Sequence, residues 1–245
     1  MRIAVAGATG RVGRHVVDVL EEQGHEAVRM SRATGVDVVT GAGLPEALEG
    51  VDVIVDAATG PSPDREEATA FFTAAAHNIQ EVGAKAGVRR IVVVSIIGID
   101  RHSAGYNLAK IVQEDLLREG PVPVRVVRAA QFHEFVAQLV DWGRKGSVAQ
   151  VPRMRTQLVA ARAVAEELVR FAVDDDAPDD AEVAGPREEN LAAMATLLVA
   201  QRGEALTIEE VADDPAGAGY ADGSLLPGPG ARLVGPTYAD WLART

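Results

Sequence analysis

The sequence predicts an α/β fold built on a doubly wound parallel sheet, and three observations carry this prediction. A short apolar strand at residues 3–6 runs directly into a glycine turn and then into a helix. Further runs rich in Val and Ile alternate along the chain with segments of helical periodicity, as in parallel sheets. The chain has 245 residues and is 47% hydrophobic, which is enough to bury one large core.

The first 57 residues of the chain contain four of the predicted strands. A helix begins near Arg11, shows apolar residues at helical spacing and ends at Gly24, a common helix-terminating residue. The next three strands are predicted at residues 26–30, 36–40 and 51–57, with a short helix at residues 44–49.

The middle of the chain continues the alternation. A long helix at residues 66–86 ends at Gly87, and a helix at residues 106–119 ends before Gly120 and Pro121. The fifth strand, residues 90–97, is rich in Val and Ile, which is typical of a strand buried on both faces. A sixth strand is predicted at residues 124–128, and an amphipathic helix at residues 132–143.

The pattern becomes looser after residue 150. We predict helices at residues 163–173, 187–202 and 238–242, strands at 182–184 and 232–234, and loops over most of 203–236. Residues 1–150 are therefore assigned to a dinucleotide-binding core. Residues 151–245 are assigned to a small C-terminal substrate-binding region that packs on it as a lid.

Composition excludes several classes of function. The chain has no cysteine, which excludes disulfides, thiolate nucleophiles and zinc–thiolate sites. Its formal net charge of −12 argues against a nucleic-acid partner. No apolar run approaches the roughly 18 residues of a membrane helix, and a strand that starts at residue 2 leaves no room for a signal peptide. We expect a cytoplasmic protein with a small-molecule substrate, no metal, no nucleic-acid or membrane partner, and a possible homodimer.

The glycine turn predicts a nucleotide cofactor. Gly7, Gly10 and Gly13 have the spacing G-x-x-G-x-x-G between a strand and a helix. Glycines allow backbone amides to approach a pyrophosphate, and the N-terminus of the following helix favours the negative charge. The alternative is a structural turn without a ligand, but the strand before it and the helix after it favour the dinucleotide site.

The end of the second strand favours NADP(H) over NAD(H). NAD-binding folds usually place a carboxylate there for the ribose hydroxyls, whereas an arginine accommodates a 2′-phosphate. Here the strand ends in Met30, Ser31 and Arg32 without a carboxylate, and Arg11 in the glycine turn is expected to reach the same phosphate. The alternative is that Arg32 is a solvated surface residue.

Tyr106 and Lys110 are candidate catalytic residues because they form a Y-x-x-x-K pair. One helical turn separates them, so they share a face, and a neighbouring ammonium is expected to lower the pKa of the tyrosine. Ser95, at the carboxyl end of the fifth strand, could donate a hydrogen bond to a substrate carbonyl. The alternatives are that Tyr106 packs, Lys110 is solvated and Ser95 caps backbone groups.

Gln131, Phe132 and His133 follow the sixth strand at the same predicted edge of the sheet. They are candidate substrate residues, and His133 could also donate a proton. The alternative is a structural histidine at the start of a helix.

These motifs together resemble a known family. GATGRVG, Ser31-Arg32, VVVSIIGID and GYNLAK are similar to the atypical short-chain dehydrogenase/reductases, close to the NmrA-like branch. The resemblance extends through RAAQFHEF and implies a Rossmann-type core with a small C-terminal substrate subdomain.

The resemblance also implies roles for individual residues. It assigns Arg32 to the 2′-phosphate, Ala57 and Ala58 to the adenine ribose, and Ser95, Tyr106 and Lys110 to the active site, with Lys110 also on the cofactor ribose. The pyrophosphate and adenosine end would be held by Gly7, Thr9, Gly10, Arg11, Val12 and Gly13.

The leading hypothesis is an NADPH-dependent oxidoreductase that reduces a carbonyl or activated alkene of a small molecule. Tyr106 would supply the proton, and Lys110 would tune the tyrosine. Two alternatives stay open: a redox sensor that binds the dinucleotide without catalysis, and an epimerase or dehydratase that retains its cofactor.

Overall fold

The computed structural model describes residues 1–101, 105–212 and 220–245. The chain divides into two units. The first comprises Met1–Arg128 and Val164–Ala181, and the second comprises Ala129–Ala163 and Glu182–Thr245. The boundary predicted at residue 150 lies inside the second unit, which the chain enters twice.

The described residues form strands and helices that alternate through the first unit. The strands are β1 (Arg2–Ala6), β2 (Glu26–Met30), β3 (Val53–Asp56), β4 (Arg90–Ile96), β5 (Val124–Ala129), β6 (Arg144–Lys145), β7 (Val148–Pro152), β8 (Arg155–Thr156), β9 (Asp180–Ala184), β10 (Glu189–Asn190), β11 (Thr207–Val211) and β12 (Arg232–Leu233). The helices are α1 (Gly13–Glu22), α2 (Leu44–Ala47), α3 (Arg65–Ala86), α4 (Gly105–Glu119), α5 (His133–Trp142), α6 (Ala161–Val173), α7 (Leu191–Gln201) and α8 (Tyr238–Leu242).

The main sheet has seven strands in the order β12-β9-β5-β4-β3-β1-β2. β1 pairs in parallel with both β2 and β3, and Ala4 lies opposite Val28 on one side and Ile54 on the other. β4 continues the parallel arrangement next to β3. This confirms the predicted α/β class with a doubly wound parallel sheet.

The strand order places a ligand-binding position at the ends of β1 and β3. β1 lies between β2 and β3, so the chain leaves β1 towards one side of the sheet and later builds the other side. Open α/β sheets bind their ligands at such a reversal point, outside the carboxyl ends of the strands. The two segments that meet there are the glycine turn after β1 and residues 57–59 after β3.

The prediction of a strand at residues 36–40 is wrong. The structure has turns there, and the Asp37 carboxylate accepts hydrogen bonds from the backbone amides of Val39 and Thr40 at 2.8 and 3.4 Å. The Asn78 side chain donates to the carbonyls of Val38 and Val39. Side chains therefore satisfy backbone groups that a strand would have paired with a neighbour.

Strand β11 of the second unit lies within residues 203–236, where loops were predicted. β11 pairs in parallel with β7, which pairs antiparallel with β6, and β8 pairs antiparallel with β10. Helix α7 begins at Leu191 rather than at residue 187, because Asn190 caps it by accepting a hydrogen bond from the Ala193 amide at 2.9 Å. Helix α8 has the predicted bounds.

Candidate functional site

The glycine turn packs too closely for side chains at two of its positions. Gly7 has a φ of +74°, and a Cβ there would lie 2.7 Å from the Ala57 carbonyl oxygen and 2.8 Å from the Ala58 Cα. A Cβ at Gly13 would lie 2.1 Å from the Gly7 carbonyl oxygen. The turn thus contacts both the start of α1 and the segment after β3. This bare backbone cradle fits a dinucleotide pyrophosphate.

The remaining predicted residues of the turn differ in exposure. Thr9 is exposed, Gly10 and Arg11 are half-buried, and the Val12 side chain belongs to the buried core. The Gly10 amide donates to the Gly7 carbonyl at 2.8 Å, which closes the turn. Any contact that Val12 makes with a cofactor would therefore come from its backbone.

The end of β2 is joined directly to the glycine turn. The amides of Gly7 and Ala8 both donate to the Met30 carbonyl, at 3.0 and 3.3 Å. The Ser31 amide donates to the Thr34 hydroxyl at 3.0 Å and thereby shapes a short 3₁₀ turn, Arg32–Thr34. Arg32 is exposed, and no side chain of the described residues forms an ion pair with it. Its guanidinium is available to an anion beside the turn.

Tyr106 forms a hydroxyl pair with Thr59, a residue that was not among the predicted site residues. Its phenol oxygen lies 2.9 Å from the Thr59 hydroxyl oxygen, and its ring packs edge-on against Phe72 at 5.7 Å. Thr59 comes directly after Ala57 and Ala58, which contact the glycine turn. The only sequence signal for Thr59 was its position just beyond the carboxyl end of a buried strand.

The pKa of Tyr106 is raised, so the prediction that Lys110 lowers it is wrong. Burial of the phenol is the largest cause; the hydrogen bond with Thr59 opposes it, and the charge of Asp56 adds to the increase. Tyr106 is therefore a neutral phenol at physiological pH, in the form that can donate a proton.

Lys110 is buried, with 5% of its surface exposed. Its ammonium donates to the Val94 carbonyl at 2.8 Å and to the Gln113 side-chain oxygen, and it lies 4.7 Å from the centre of the Phe72 ring. Burial lowers the pKa of Lys110 to about 8, against the opposing charges of Asp56 and Glu114. The bonded ammonium faces Val94 and Gln113.

Asp56 completes a chain of buried hydrogen bonds. Its carboxylate accepts from the Gln113 side-chain nitrogen at 2.9 Å and from the Ala58 amide at 3.0 Å. Burial raises the pKa of Asp56, and the charge of Lys110 works in the opposite direction. Asp56 and Gln113 are not recognisable from the sequence, because the bond that joins them spans 57 residues of chain.

Ser95 is enclosed in the sheet. The residue is 3% exposed, and its hydroxyl has no hydrogen-bond partner among the described residues. The structure thus brings Tyr106 together with Thr59 rather than with Ser95. A catalytic role for Ser95 stays a prediction.

The three candidate substrate residues lie in the second unit. The Gln131 side-chain oxygen accepts from the Thr156 hydroxyl at 2.8 Å, and Phe132 forms a parallel bridge with Val159. His133 is fully buried, and its Nε2 lies 3.1 Å from the Pro236 carbonyl oxygen.

The surroundings of His133 are aromatic. The rings of Tyr238 and Trp241 both lie 5.3 Å from the imidazole, and all three residues line a cavity of about 360 Å³. Burial lowers the pKa of His133 to about 4, so the ring is neutral at physiological pH. These contacts describe a packed histidine within its own unit, and its predicted substrate role stays a prediction.

Membrane spans and metal clusters are both absent from residues 1–101, 105–212 and 220–245. In those residues no helix has the length and apolar character of a membrane span. The same residues contain no group of three or more His, Asp or Glu side chains arranged to hold a metal ion.

The glycine cradle at the reversal point of a parallel sheet defines a dinucleotide-binding α/β protein. The chain belongs to the NAD(P)H-binding family, whose model matches residues 7–167, within the atypical short-chain dehydrogenase/reductase and NmrA-like group. It is thus an NAD(P)-dependent protein of the short-chain dehydrogenase/reductase type. No curated protein sequence matches it.

Solved structures share the fold over almost the whole chain. An NADPH-dependent quinone oxidoreductase from Escherichia coli, complexed with NADPH, is 18% identical with a TM-score of 0.74, covering 99% of each chain. The Bordetella bronchiseptica enzyme WbmH in complex with NAD⁺ is 16% identical with a TM-score of 0.77, covering 99% of this chain and 96% of its own. A UDP-N-acetylglucosamine 4-epimerase from Bacillus cereus is 15% identical with a TM-score of 0.71, covering 100% of this chain and 97% of its own. At these identities the likeness shows the fold.

Proposed function

We propose that this protein is an NADPH-dependent reductase that acts on a carbonyl or activated alkene of a small molecule. The observation that carries the proposal is the hydroxyl pair of Tyr106 and Thr59, at 2.9 Å. Thr59 is the next residue after Ala58, whose Cα would lie 2.8 Å from a Cβ at Gly7. The Tyr106 phenol, a proton donor, thus lies beside the segment after β3 that contacts the cofactor cradle.

Tyr106 is suited to donate a proton in such a reduction. A nicotinamide bound in the cradle would supply a hydride to the substrate carbon. The Tyr106 phenol would protonate the substrate oxygen, so that a carbonyl becomes an alcohol. Thr59 is exposed, and its hydroxyl can then pass a proton from water to the tyrosine oxygen. The raised pKa of Tyr106 keeps the donor protonated before each turnover.

NADPH is the proposed cofactor because of Arg32. The guanidinium follows β2, whose last carbonyl is bonded to the glycine turn, and it is exposed next to that turn. An arginine at this position accommodates a 2′-phosphate in dinucleotide folds. The Escherichia coli relative is an NADPH-dependent quinone oxidoreductase, which is the reason to include quinones among the substrates tested.

A cofactor-binding redox sensor is the second candidate. It is favoured by the enclosed Ser95 hydroxyl and by the ammonium of Lys110, which is bonded to Val94 and Gln113. The predicted catalytic residues Ser95, Tyr106 and Lys110 are therefore not hydrogen-bonded to one another. A sensor needs only the cradle, and its partner would respond to the redox state of the cofactor.

The test combines binding with turnover. Affinity for NADPH is measured by calorimetry, and NADPH consumption is measured with quinones, aldehydes, ketones and enones. Nicotinamide-deuterated NADPH then shows whether the deuterium appears in the product, as hydride transfer requires. Tight binding without consumption of NADPH across these classes would replace the reductase with the sensor. Substrate isomerisation without net consumption would instead indicate an epimerase.

A further inference from the structure

Helix α4 carries a row of polar side chains on its buried face. Lys110, Gln113 and Glu114 lie three and four residues apart, so they share a face, and they are 5%, 1% and 3% exposed. Buried polar and charged groups are costly unless they are bonded. Each of these residues is bonded to a different strand of the sheet: Lys110 to the Val94 carbonyl of β4, Gln113 to Asp56 of β3 and Glu114 to Arg128 of β5.

Gln113 is the residue that links the two opposite charges in this row. Its oxygen accepts from the Lys110 ammonium, and its nitrogen donates to Asp56 at 2.9 Å. This orientation of the amide follows from the partners, because an ammonium can only donate. A neutral amide thus satisfies a buried cation at one end and a buried carboxylate at the other.

Both members of the hydroxyl pair are connected to the ends of this chain of bonds. At one end, Asp56 accepts from the Ala58 amide at 3.0 Å, and the next residue is Thr59. At the other end, Lys110 lies one helical turn after Tyr106 on α4. The bonds from Asp56 through Gln113 to Lys110 therefore fix the position of the segment after β3 relative to α4.

We propose that Gln113 is a positioning residue that keeps the Tyr106 hydroxyl against Thr59. Lys110 acts within the same network and orients α4 through the Val94 carbonyl. Gln113 is bonded to neither hydroxyl, so its effect on the reaction is exerted through Asp56 and Lys110. The kinetic part of this inference rests on the proposed reductase function, whereas the geometric part does not.

The substitution Gln113→Glu tests the proposal because the new side chain has two protonation states. A protonated carboxyl reproduces the amide, since it can donate to Asp56 and accept from Lys110. An ionised carboxylate can only accept, and it places a negative charge against Asp56. The charged groups that face the introduced carboxyl are Asp56 and Lys110, with Glu114 and its partner Arg128 beside them.

Gln80→Glu is the matched control. Gln80 is also buried, at 4% exposure, and both ends of its amide are bonded: its nitrogen donates to the Val122 carbonyl at 3.0 Å and its oxygen accepts from the Val122 amide at 2.8 Å. It also bonds the Leu117 carbonyl at the far end of α4. The control therefore repeats the chemical change without altering the chain from Asp56 to Lys110.

Gln113→Glu should show near wild-type kcat in mildly acidic buffer. As pH rises, its kcat should fall by about ten- to hundredfold, because a small displacement of a catalytic group slows the reaction by about this factor. KM and NADPH affinity should stay within about twofold, since the cradle is unchanged. The Cζ carbon signal of ¹³C-labelled Tyr106, assigned with Tyr106→Phe, should move over the same pH range. Gln80→Glu should lose thermal stability but keep the wild-type pH profile of kcat and the wild-type Tyr106 signal.

A wild-type pH profile and Tyr106 signal in Gln113→Glu would overturn the proposal. The same loss of kcat in Gln80→Glu, or a parallel loss of NADPH affinity in Gln113→Glu, would also overturn it. If the wild type reduces no substrate, the proposed function fails, and the Tyr106 signal alone decides the positioning role. A signal that moves in Gln113→Glu and not in Gln80→Glu then supports it, and an unmoved signal rejects it.

Discussion

Replacement of Tyr106 with Phe separates a proton-donor role from a packing role. The substitution removes one oxygen atom and with it the 2.9 Å bond to Thr59. The ring remains, and so does its edge-on contact with Phe72 at 5.7 Å. Thr59 is exposed, so water can replace the lost partner. The free energy of unfolding should therefore fall by no more than about 1 kcal/mol, the usual net value of one hydrogen bond.

The expected effect of Tyr106→Phe on turnover is much larger. A positioned general acid contributes about 10²–10⁴ in rate, which corresponds to about 2.7–5.4 kcal/mol of activation free energy at 1.36 kcal/mol per tenfold. We expect kcat to fall by this factor while NADPH affinity stays within about twofold, because the cradle does not include the phenol. Turnover with an identified substrate, calorimetric NADPH titration and urea unfolding measure the three quantities.

The pH dependence of the wild type follows from the raised pKa of Tyr106. The donor is the protonated phenol, and burial extends the pH range over which it stays protonated. The midpoint of the alkaline loss of kcat due to Tyr106 should therefore lie above the ordinary pKa of tyrosine, about 10, and this loss should be absent from Tyr106→Phe.

Tyr238→Phe is the control for the loss of a buried phenol oxygen. Tyr238 is 1% exposed and lies in the second unit, whereas the cradle lies in the first, so its substitution should leave NADPH affinity close to the wild-type value. A Tyr106→Phe enzyme with near wild-type kcat would refute the proton-donor role. A loss of kcat that is matched by the loss of NADPH affinity would show that the phenol holds the cofactor instead.

Two predictions concern the cofactor. NADPH should bind at least about tenfold more tightly than NADH in calorimetric titrations, equivalent to about 1.4 kcal/mol. Arg32→Ala should remove most of this preference, whereas the control Arg187→Ala, in the second unit, should keep it. Equal affinities in the wild type would contradict the assignment of Arg32. Gly10→Val should fold but lose the rise in melting temperature that NADPH causes, because a Cβ there would lie only 3.0 Å from the Gly7 carbonyl oxygen. Gly230→Val, where a Cβ has nothing within 4 Å, should retain that rise, and a full NADPH response in Gly10→Val would show that the turn does not hold the phosphates.

The sequence alone determined the features that depend on neighbouring residues. β1, the glycine spacing and the start of α1 form one continuous segment, and their pattern predicted both the parallel sheet and the cofactor cradle. β4 and β5 were predicted nearly to the residue because their runs of Val and Ile are typical of buried parallel strands. The helix at residues 238–242 was predicted within its observed bounds.

Some local patterns were outweighed by contacts that the sequence does not display. Residues 36–40 have the apolar character of a strand, but Asp37 and Asn78 bond their backbone and hold turns there. β11 contains two glutamates among five residues, and it is a strand because β7 offers it a partner.

The active-site arrangement was decided by tertiary structure. Sequence spacing placed Tyr106 and Lys110 on one helix and suggested that the ammonium acts on the phenol. The fold instead directs Lys110 to Val94 and Gln113, and it brings Thr59 to Tyr106 across 47 residues of chain. A one-turn spacing fixes which helix face two residues share, but the strands packed against that face decide which atoms each side chain meets, since a buried ammonium turns towards the nearest acceptors.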